Sequence, residues 1–309
     1  MMHKDDIDID LALVRALVDR ARPDLAGLPL RPLEASGSSN RLFRLGDELL
    51  VRLPRQPGGS RPIAKEARWL PYIGPALPIA VPEIVTVGEP DLGYPERWSL
   101  VRWIDGATPP IGSDDTAAAR LARDLAGVVG ALAGLDVPPE ALTDPALHSY
   151  RGEPLSAMDG ATRQYLVDCR TLPGLDLDLD GCERVWDEAM TLPDSEPAQR
   201  WLHGDLLAEN LLVQEGQLAA VLDFGSLAVG DPTVDLVVAW EVLDPEGREL
   251  FRSLLGTDDV AWLRGRAWAL AIALMTFPYY WQTMPERCAA RLVMARAVLA
   301  DAARRRQGP

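Results

Sequence analysis

Hydrophobic and polar positions change their pattern near residue 105. From Ile9 to Ala21 the apolar residues Leu13, Val14, Leu17 and Val18 recur at helical spacing on one face, which predicts an amphipathic helix. Short apolar runs separated by turn residues then dominate to Trp103: Arg41 to Leu45, the turn Gly46-Asp47, Glu48 to Leu53, and Trp98 to Ile104 ending at Asp105-Gly106. These runs predict a small sheet. From Asp114 onward the pattern is helical, over Ala117–Leu135, Asp159–Arg170, Gly181–Met190, Thr233–Val242, Gly247–Leu255, Asp258–Thr276 and Pro285–Arg304. The predicted class is α+β, with a sheet-based part at 1–105 and a larger, mainly helical part at 106–309.

One segment interrupts the helices. Leu211-Leu212-Val213 and Leu218 to Leu222 flank Gln214-Glu215-Gly216-Gln217 and predict a β-hairpin with Gly216 in the turn. Asp231-Pro232 has the chemistry of a helix start, a capping carboxylate followed by proline at the first helical position.

The chemistry lies around that hairpin, in His203-Gly204-Asp205, Asn210 and Asp223-Phe224-Gly225. Phosphoryl transfer needs a carboxylate to orient the attacking hydroxyl and take its proton, and oxygen ligands for magnesium beside the triphosphate. Asp205 can be that base. Asn210 offers a neutral amide oxygen to a hard cation, and Asp223 offers a carboxylate able to bridge metal ions. The expected cofactors are Mg2+ and ATP or GTP as phosphoryl donor.

Charge narrows the partners. The net charge is −15, from 46 acidic and 31 basic residues, which argues against nucleic acid and suits a small, hydroxyl-bearing, cationic substrate. Glu153, Asp159, Glu241 and Asp244 are candidate acids facing such a substrate. The chain has 309 residues at 48% hydrophobic content, enough for a substantial core. Cys169, Cys182 and Cys288 show no CxxC or His pairing, which supports neither a disulfide framework nor a zinc site and fits a reducing cytoplasm. The start, Met1 to Asp6, lacks the order of a signal peptide. The most apolar stretch, Trp268 to Trp281, is expected to be too short to span a membrane, contains Pro278, and reads as a buried helix end. The expected location is cytoplasmic, with no membrane partner; oligomeric state is not legible.

Asp and Asn five apart, followed by Asp-Phe-Gly, match the catalytic loop and metal-binding triplet of eukaryotic-type kinases. With Gly204 where protein kinases carry Arg, the segment resembles the aminoglycoside phosphotransferase and choline kinase superfamily. Val51-Arg52-Leu53-Pro54, Lys65 to Leu70, Gly93-Tyr94-Pro95 and Arg151-Gly152-Glu153-Pro154-Leu155 resemble its bacterial, aminoglycoside phosphotransferase-like branch. The resemblance implies a bilobal, protein-kinase-like fold with a small β-sheet N-lobe and a larger helical C-lobe. It makes Ser36, Gly37, Ser38 and Ser39 a phosphate-covering loop, whose small residues let backbone N–H groups approach phosphate. It places Arg52 where the family usually carries a phosphate-binding Lys, with Glu66 from the next helix as its partner; a guanidinium fork can bind both groups. It makes the segment around Trp103 the interlobe hinge, with the carbonyl of Arg102 and the N–H of Ile104 facing adenine. It gives Asp235 the task of hydrogen-bonding the catalytic loop, and His203 the task of anchoring it.

The acceptor implied is an aminoglycoside-type antibiotic, with resistance as the consequence. A macrolide, a sugar or an amino alcohol are alternatives. A nucleotide-binding pseudokinase is a further one, favoured only by Arg52 and opposed by the intact Asp205, Asn210 and Asp223. A protein kinase would need an Ala-Pro-Glu triplet after Phe224-Gly225, and none follows.

Overall fold

The computed structural model describes residues 6–33, 39–109, 115–194 and 199–307. The chain forms two compact units. One comprises residues 1–75, 80–105 and 222–225, and the other residues 76–79, 106–221 and 226–309.

The first unit is built on a five-stranded antiparallel sheet of order β1-β2-β3-β5-β4, from Leu30–Pro32 (β1), Asn40–Leu45 (β2), Leu49–Pro54 (β3), Ile84–Gly88 (β4) and Trp98–Arg102 (β5). Helix α1, Leu11–Ala21, starts two residues later than the apolar spacing predicts, because the Asp10 carboxylate caps it by accepting the Leu13 N–H at 2.7 Å. Its buried face, Val14, Leu17 and Val18, joins Phe43, Leu45, Leu49, Val51, Leu53 and Leu100 in one core. Strand side chains alternate between faces, so Leu49, Val51 and Leu53 take this core and Arg52 points to the other.

Helix α2, Ser60–Ile73, contains Glu66. The Glu96 carboxylate, supplied from beyond β4, accepts the N–H groups of Gly58 and Ser60, each at 2.8 Å, at the start of this helix. That satisfies donors that a helix N-terminus leaves without internal partners. Burial works against the Glu96 charge, but the Ser60 hydroxyl and these two N–H groups outweigh it and hold the carboxyl below its ordinary value.

The second unit is helical, with α3 Asp115–Gly134, α4 Pro139–Leu142, α5 Asp159–Arg170, α6 Leu179–Met190, α7 Val238–Val242, α8 Pro245–Leu255, α9 Asp259–Tyr280 and α10 Pro285–Gln307. Two small sheets interrupt it: β6 Arg200–Leu202 pairs with β9 Ala228–Gly230, and β7 Leu211–Gln214 pairs with β8 Gln217–Val221. The second is the predicted hairpin, turning at Glu215 and Gly216 with φ of 51° and 74°.

Two expectations are corrected here. The helix expected over Thr233–Val242 is a 3-10 stretch, Pro232–Val237, followed by the short α7; Asp231 does cap it, accepting the Thr233 N–H at 3.0 Å. The apolar stretch at Trp268 belongs to α9, a helix of 22 residues that is long and apolar enough to cross a membrane, so length does not exclude a span. Of its apolar window 72% is buried inside the protein, as in a core helix. Pro278 lies within it, and a proline has no N–H to offer Leu274 four residues back. The Cys169 thiol, 3.6 Å from the Leu274 carbonyl oxygen, donates there instead. All three cysteines are free and buried, and burial pushes the Cys169 thiol up to about 12.

Candidate active site

In the helical unit, the site begins where β6 ends. The buried Asp235 carboxylate accepts the backbone N–H groups of His203 at 2.6 Å and Gly204 at 2.8 Å, fixing two successive peptides. Burial pushes the Asp235 carboxyl up, opposed by His203 and by these bonds. Gly204 has φ of +78°, and a side-chain carbon there would lie 2.6 Å from the Ser226 carbonyl oxygen, so any larger residue would displace backbone. The ring of His203 is buried and its Nδ1 accepts the Asp205 N–H at 3.2 Å, which makes it a loop anchor.

Asp205 therefore leaves a fixed loop with its side chain 30% exposed, accessible to a ligand. Asn210 closes the loop: its Nδ2 donates to the Asp205 carbonyl oxygen at 2.8 Å and to Asp205 Oδ2 at 3.2 Å. With both contacts made through nitrogen, the amide oxygen of Asn210 is the atom left for a cation. The other carboxylate oxygen, Oδ1, lies 3.6 Å from Arg151 Nη2. In the sequence Arg151 stands only within the phrase Arg151 to Leu155 that resembles the family, and no spacing links it to Asp205, 54 positions later.

Behind the loop, Glu241 of α7 accepts the Ala208 N–H at 2.7 Å and an ion pair from Arg291 of α10. Arg291 also reaches Glu209 at 2.6 Å. Burial pushes the Glu241 carboxyl up to about 7 against the pull of Arg291. Burial also disfavours the Glu209 charge, but Arg291 and Arg287 outweigh it and hold that carboxyl down. Glu241 is thus a loop support, which corrects its expected place facing substrate. Two more of the expected acids are structural as well: Asp159 accepts the Trp186 indole N–H at 2.8 Å, and Asp244 caps α8 by accepting the Gly247 N–H at 2.7 Å. Glu153 is exposed.

In the sheet unit, Arg52 of β3 and Glu66 of α2 form a two-pronged pair, Nη1 to Oε2 at 2.8 Å and Nη2 to Oε1 at 3.3 Å. Burial disfavours the guanidinium charge, but Glu66 and Asp223 outweigh it and keep Arg52 above its ordinary value. Asp223 adopts φ of +56°, an uncommon conformation for a residue with a side chain, and its Oδ1 accepts the Gly225 N–H at 3.3 Å. Phe224 is fully buried. At the end of β5, the Arg102 N–H donates to Glu83 and the Trp103 N–H to Glu48, at 2.9 and 2.8 Å. Ile104 follows outside the strand, and the Arg102 side chain is exposed. Ser39 is exposed and its carbonyl accepts the Arg55 N–H. Ser36, Gly37 and Ser38 lie outside the described residues.

Among the described residues no three His, Cys, Asp or Glu side chains cluster as a protein-only metal cage. A magnesium ion used with a nucleotide takes one or two protein carboxylates and fills its remaining positions with phosphate and water oxygens. Asn210, in the helical unit, and Asp223, in the sheet unit, each carry an oxygen donor of the kind such an ion accepts.

A model of the phosphotransferase enzyme family matches residues 30–268. The chain belongs to that family. Aminoglycoside 3'-phosphotransferases of Escherichia coli and Salmonella typhimurium are each 34% identical to it over 61 residues, covering 20% of this chain and 22% of the relative. The matched segment thus spans about a fifth of those relatives' length. Among solved structures, the GDP and kanamycin complex of APH(2")-IIia superposes with a TM-score of 0.68 at 20% identity, covering 94% of this chain and 98% of that one. Apo macrolide 2'-phosphotransferase MphH of Brachybacterium faecium superposes with a TM-score of 0.61 at 22% identity, covering 94% and 97%. These likenesses show the kinase-like α+β fold of the phosphotransferases.

Proposed function

We propose that the protein is a magnesium-dependent kinase that transfers the γ-phosphoryl group of ATP or GTP to a hydroxyl of a small, cationic, aminoglycoside-type acceptor. The observation that carries this reading is the Asp205 carboxylate, exposed at one side and fixed on the other by a loop that Asp235 and Asn210 hold rigid. Such a carboxylate orients an attacking hydroxyl and takes its proton. Arg52, held by Glu66, presents its remaining guanidinium N–H donors to phosphate oxygens, as the planar fork allows. Asn210 and Asp223 are the proposed magnesium ligands; the bound ion would neutralise charge developing on the β- and γ-phosphates.

A nucleotide donor is supported by the GDP- and ADP-bound structures of similar fold. The aminoglycoside class is supported by the kanamycin complex among them, by the partial match to aminoglycoside 3'-phosphotransferases, and by the net charge of −15. Phosphorylation would add negative charge to a drug that binds RNA phosphates as a polycation, and so confer resistance. The proposal includes a cytoplasmic setting, in keeping with three buried thiols and no disulfide among the described residues.

Mass spectrometry of a panel of aminoglycosides, macrolides and amino alcohols, incubated with the protein, magnesium and either ATP or GTP, tests this. The expected result is an aminoglycoside that gains one phosphoryl group. A macrolide product would replace the acceptor class, and no product from any compound with either nucleotide would contradict the proposal.

A further inference from the structure

We propose that Arg151 is a positioning residue for Asp205, a proposal that rests on the phosphoryl-transfer function given above. The residue is a cation only 7% exposed. Its Nη2 lies 3.6 Å from Asp205 Oδ1, while Asn210 Nδ2 lies 3.2 Å from Asp205 Oδ2. Each carboxylate oxygen thus has its own neighbour, one a cation and the other an amide N–H, and the two together restrain the group. The same guanidinium acts favourably on the buried charge of Asp235, the carboxylate that holds the loop backbone. A single cation thus serves both acids on which the loop depends.

The backbone around Arg151 is locked to the strand next to that loop. Arg151 sits in a 3-10 turn, Tyr150–Gly152, in which the Ser149 hydroxyl accepts its N–H at 3.3 Å. The Gly152 carbonyl accepts the Asp231 N–H at 2.8 Å, at the end of β9, whose partner β6 leads into His203. Gly152 and Gly230 approach so closely that a side-chain carbon on Gly230 would lie 2.2 Å from the Gly152 carbonyl oxygen. The contact requires glycine at position 230, and it ties the position of β9 to the turn that carries Arg151.

The side chain is aimed with equal care. Its Nε donates to the Tyr150 hydroxyl at 2.7 Å, and the guanidinium lies 5.2 Å from the centre of that ring. Its Nη1 is buried with no hydrogen-bond partner among the described residues.

The test compares wild type, Asp205→Ala, Arg151→Ala and Arg151→Lys, following transfer of labelled γ-phosphoryl from ATP or GTP to acceptor or water. Misplacing a reacting group by about 1 Å costs about 100-fold. Arg151→Ala should lower kcat by about that factor with nucleotide KM unchanged, and Arg151→Lys should recover part of it. Added guanidinium at non-denaturing concentration should restore turnover to Arg151→Ala and leave Asp205→Ala unchanged, a response that a collapsed or merely destabilised fold would not give. Wild-type kcat in Arg151→Ala, or a loss that neither lysine nor guanidinium recovers, overturns the proposal while leaving the kinase function standing. Wild type that turns over no more nucleotide than Asp205→Ala overturns both.

Discussion

The carboxylate of Glu66 forks onto the guanidinium of Arg52 through contacts of 2.8 and 3.3 Å, with both side chains withdrawn from solvent. A lysine at this position would meet the carboxylate as a point charge; the fork meets it through two nitrogens and fixes the plane of the cation. The pair joins the central strand of the sheet to α2 and aims a rigid cation away from the α1 core.

Removing one partner of a buried pair leaves the other charge uncompensated, at a cost of about 3 to 5 kcal/mol. Arg52→Met is expected to lower the melting temperature sharply and to weaken nucleotide binding. The double variant Arg52→Met/Glu66→Leu should recover much of the stability, because no lone charge remains, but not the nucleotide affinity. Thermal melts and nucleotide titrations on the two variants separate the structural task of the pair from its proposed ligand-binding one.

Local patterns made parts of this molecule legible in advance. The hairpin at Glu215-Gly216 follows from two apolar runs and a turn that needs positive φ, and α1 from a single apolar stripe capped by Asp10. The phosphotransferase family was legible because His203-Gly204-Asp205, Asn210 and Asp223-Phe224-Gly225 fall in one short stretch. What the sequence hid is long-range. The start of α2 is completed by Glu96, 36 positions beyond Ser60. Glu241 reads in the sequence as an acid facing substrate, but Arg291, 50 positions later, holds it inside. Asp231-Pro232 signalled a helix start but not its 3-10 geometry, because the following residues are drawn inward by packing and by the bonds of Asp235 to the loop.

Stability should depend on pH through Glu241. Burial raises its carboxyl from the ordinary 4.5 to about 7, with Arg291 opposing and Glu209 and Asp205 adding repulsion. Between those values the folded protein holds a proton that the unfolded chain has released, so unfolding releases a proton and stability falls as pH rises. The contribution is fully present below 4.5 and lost through about 7. Glu241→Gln cannot titrate; its melting temperature should fall less than that of wild type across this window. Parallel curves would contradict the shift.

At Asp223 the proposed metal binding can be tested apart from folding. Its φ of +56° is a conformation that glycine adopts freely and that Asp adopts with the help of a local hydrogen bond, here from the Gly225 N–H. Asp223→Gly relieves the backbone but gives up that bond and the attraction to Arg52, so it should fold and melt close to wild type yet lose magnesium-dependent turnover, and a chelator should silence wild type in the same assay. Full turnover in Asp223→Gly would remove the carboxylate from the proposed magnesium site.

Asp205 is the decisive residue. The measurement to make is the rate of γ-phosphoryl transfer from ATP or GTP in wild type against Asp205→Ala, with circular dichroism and a melt to show that the variant is folded. A positioned general base contributes about 100- to 10,000-fold, so a folded variant slowed by that factor with nucleotide binding retained is the predicted result. A folded Asp205→Ala that transfers phosphate at the wild-type rate would contradict it.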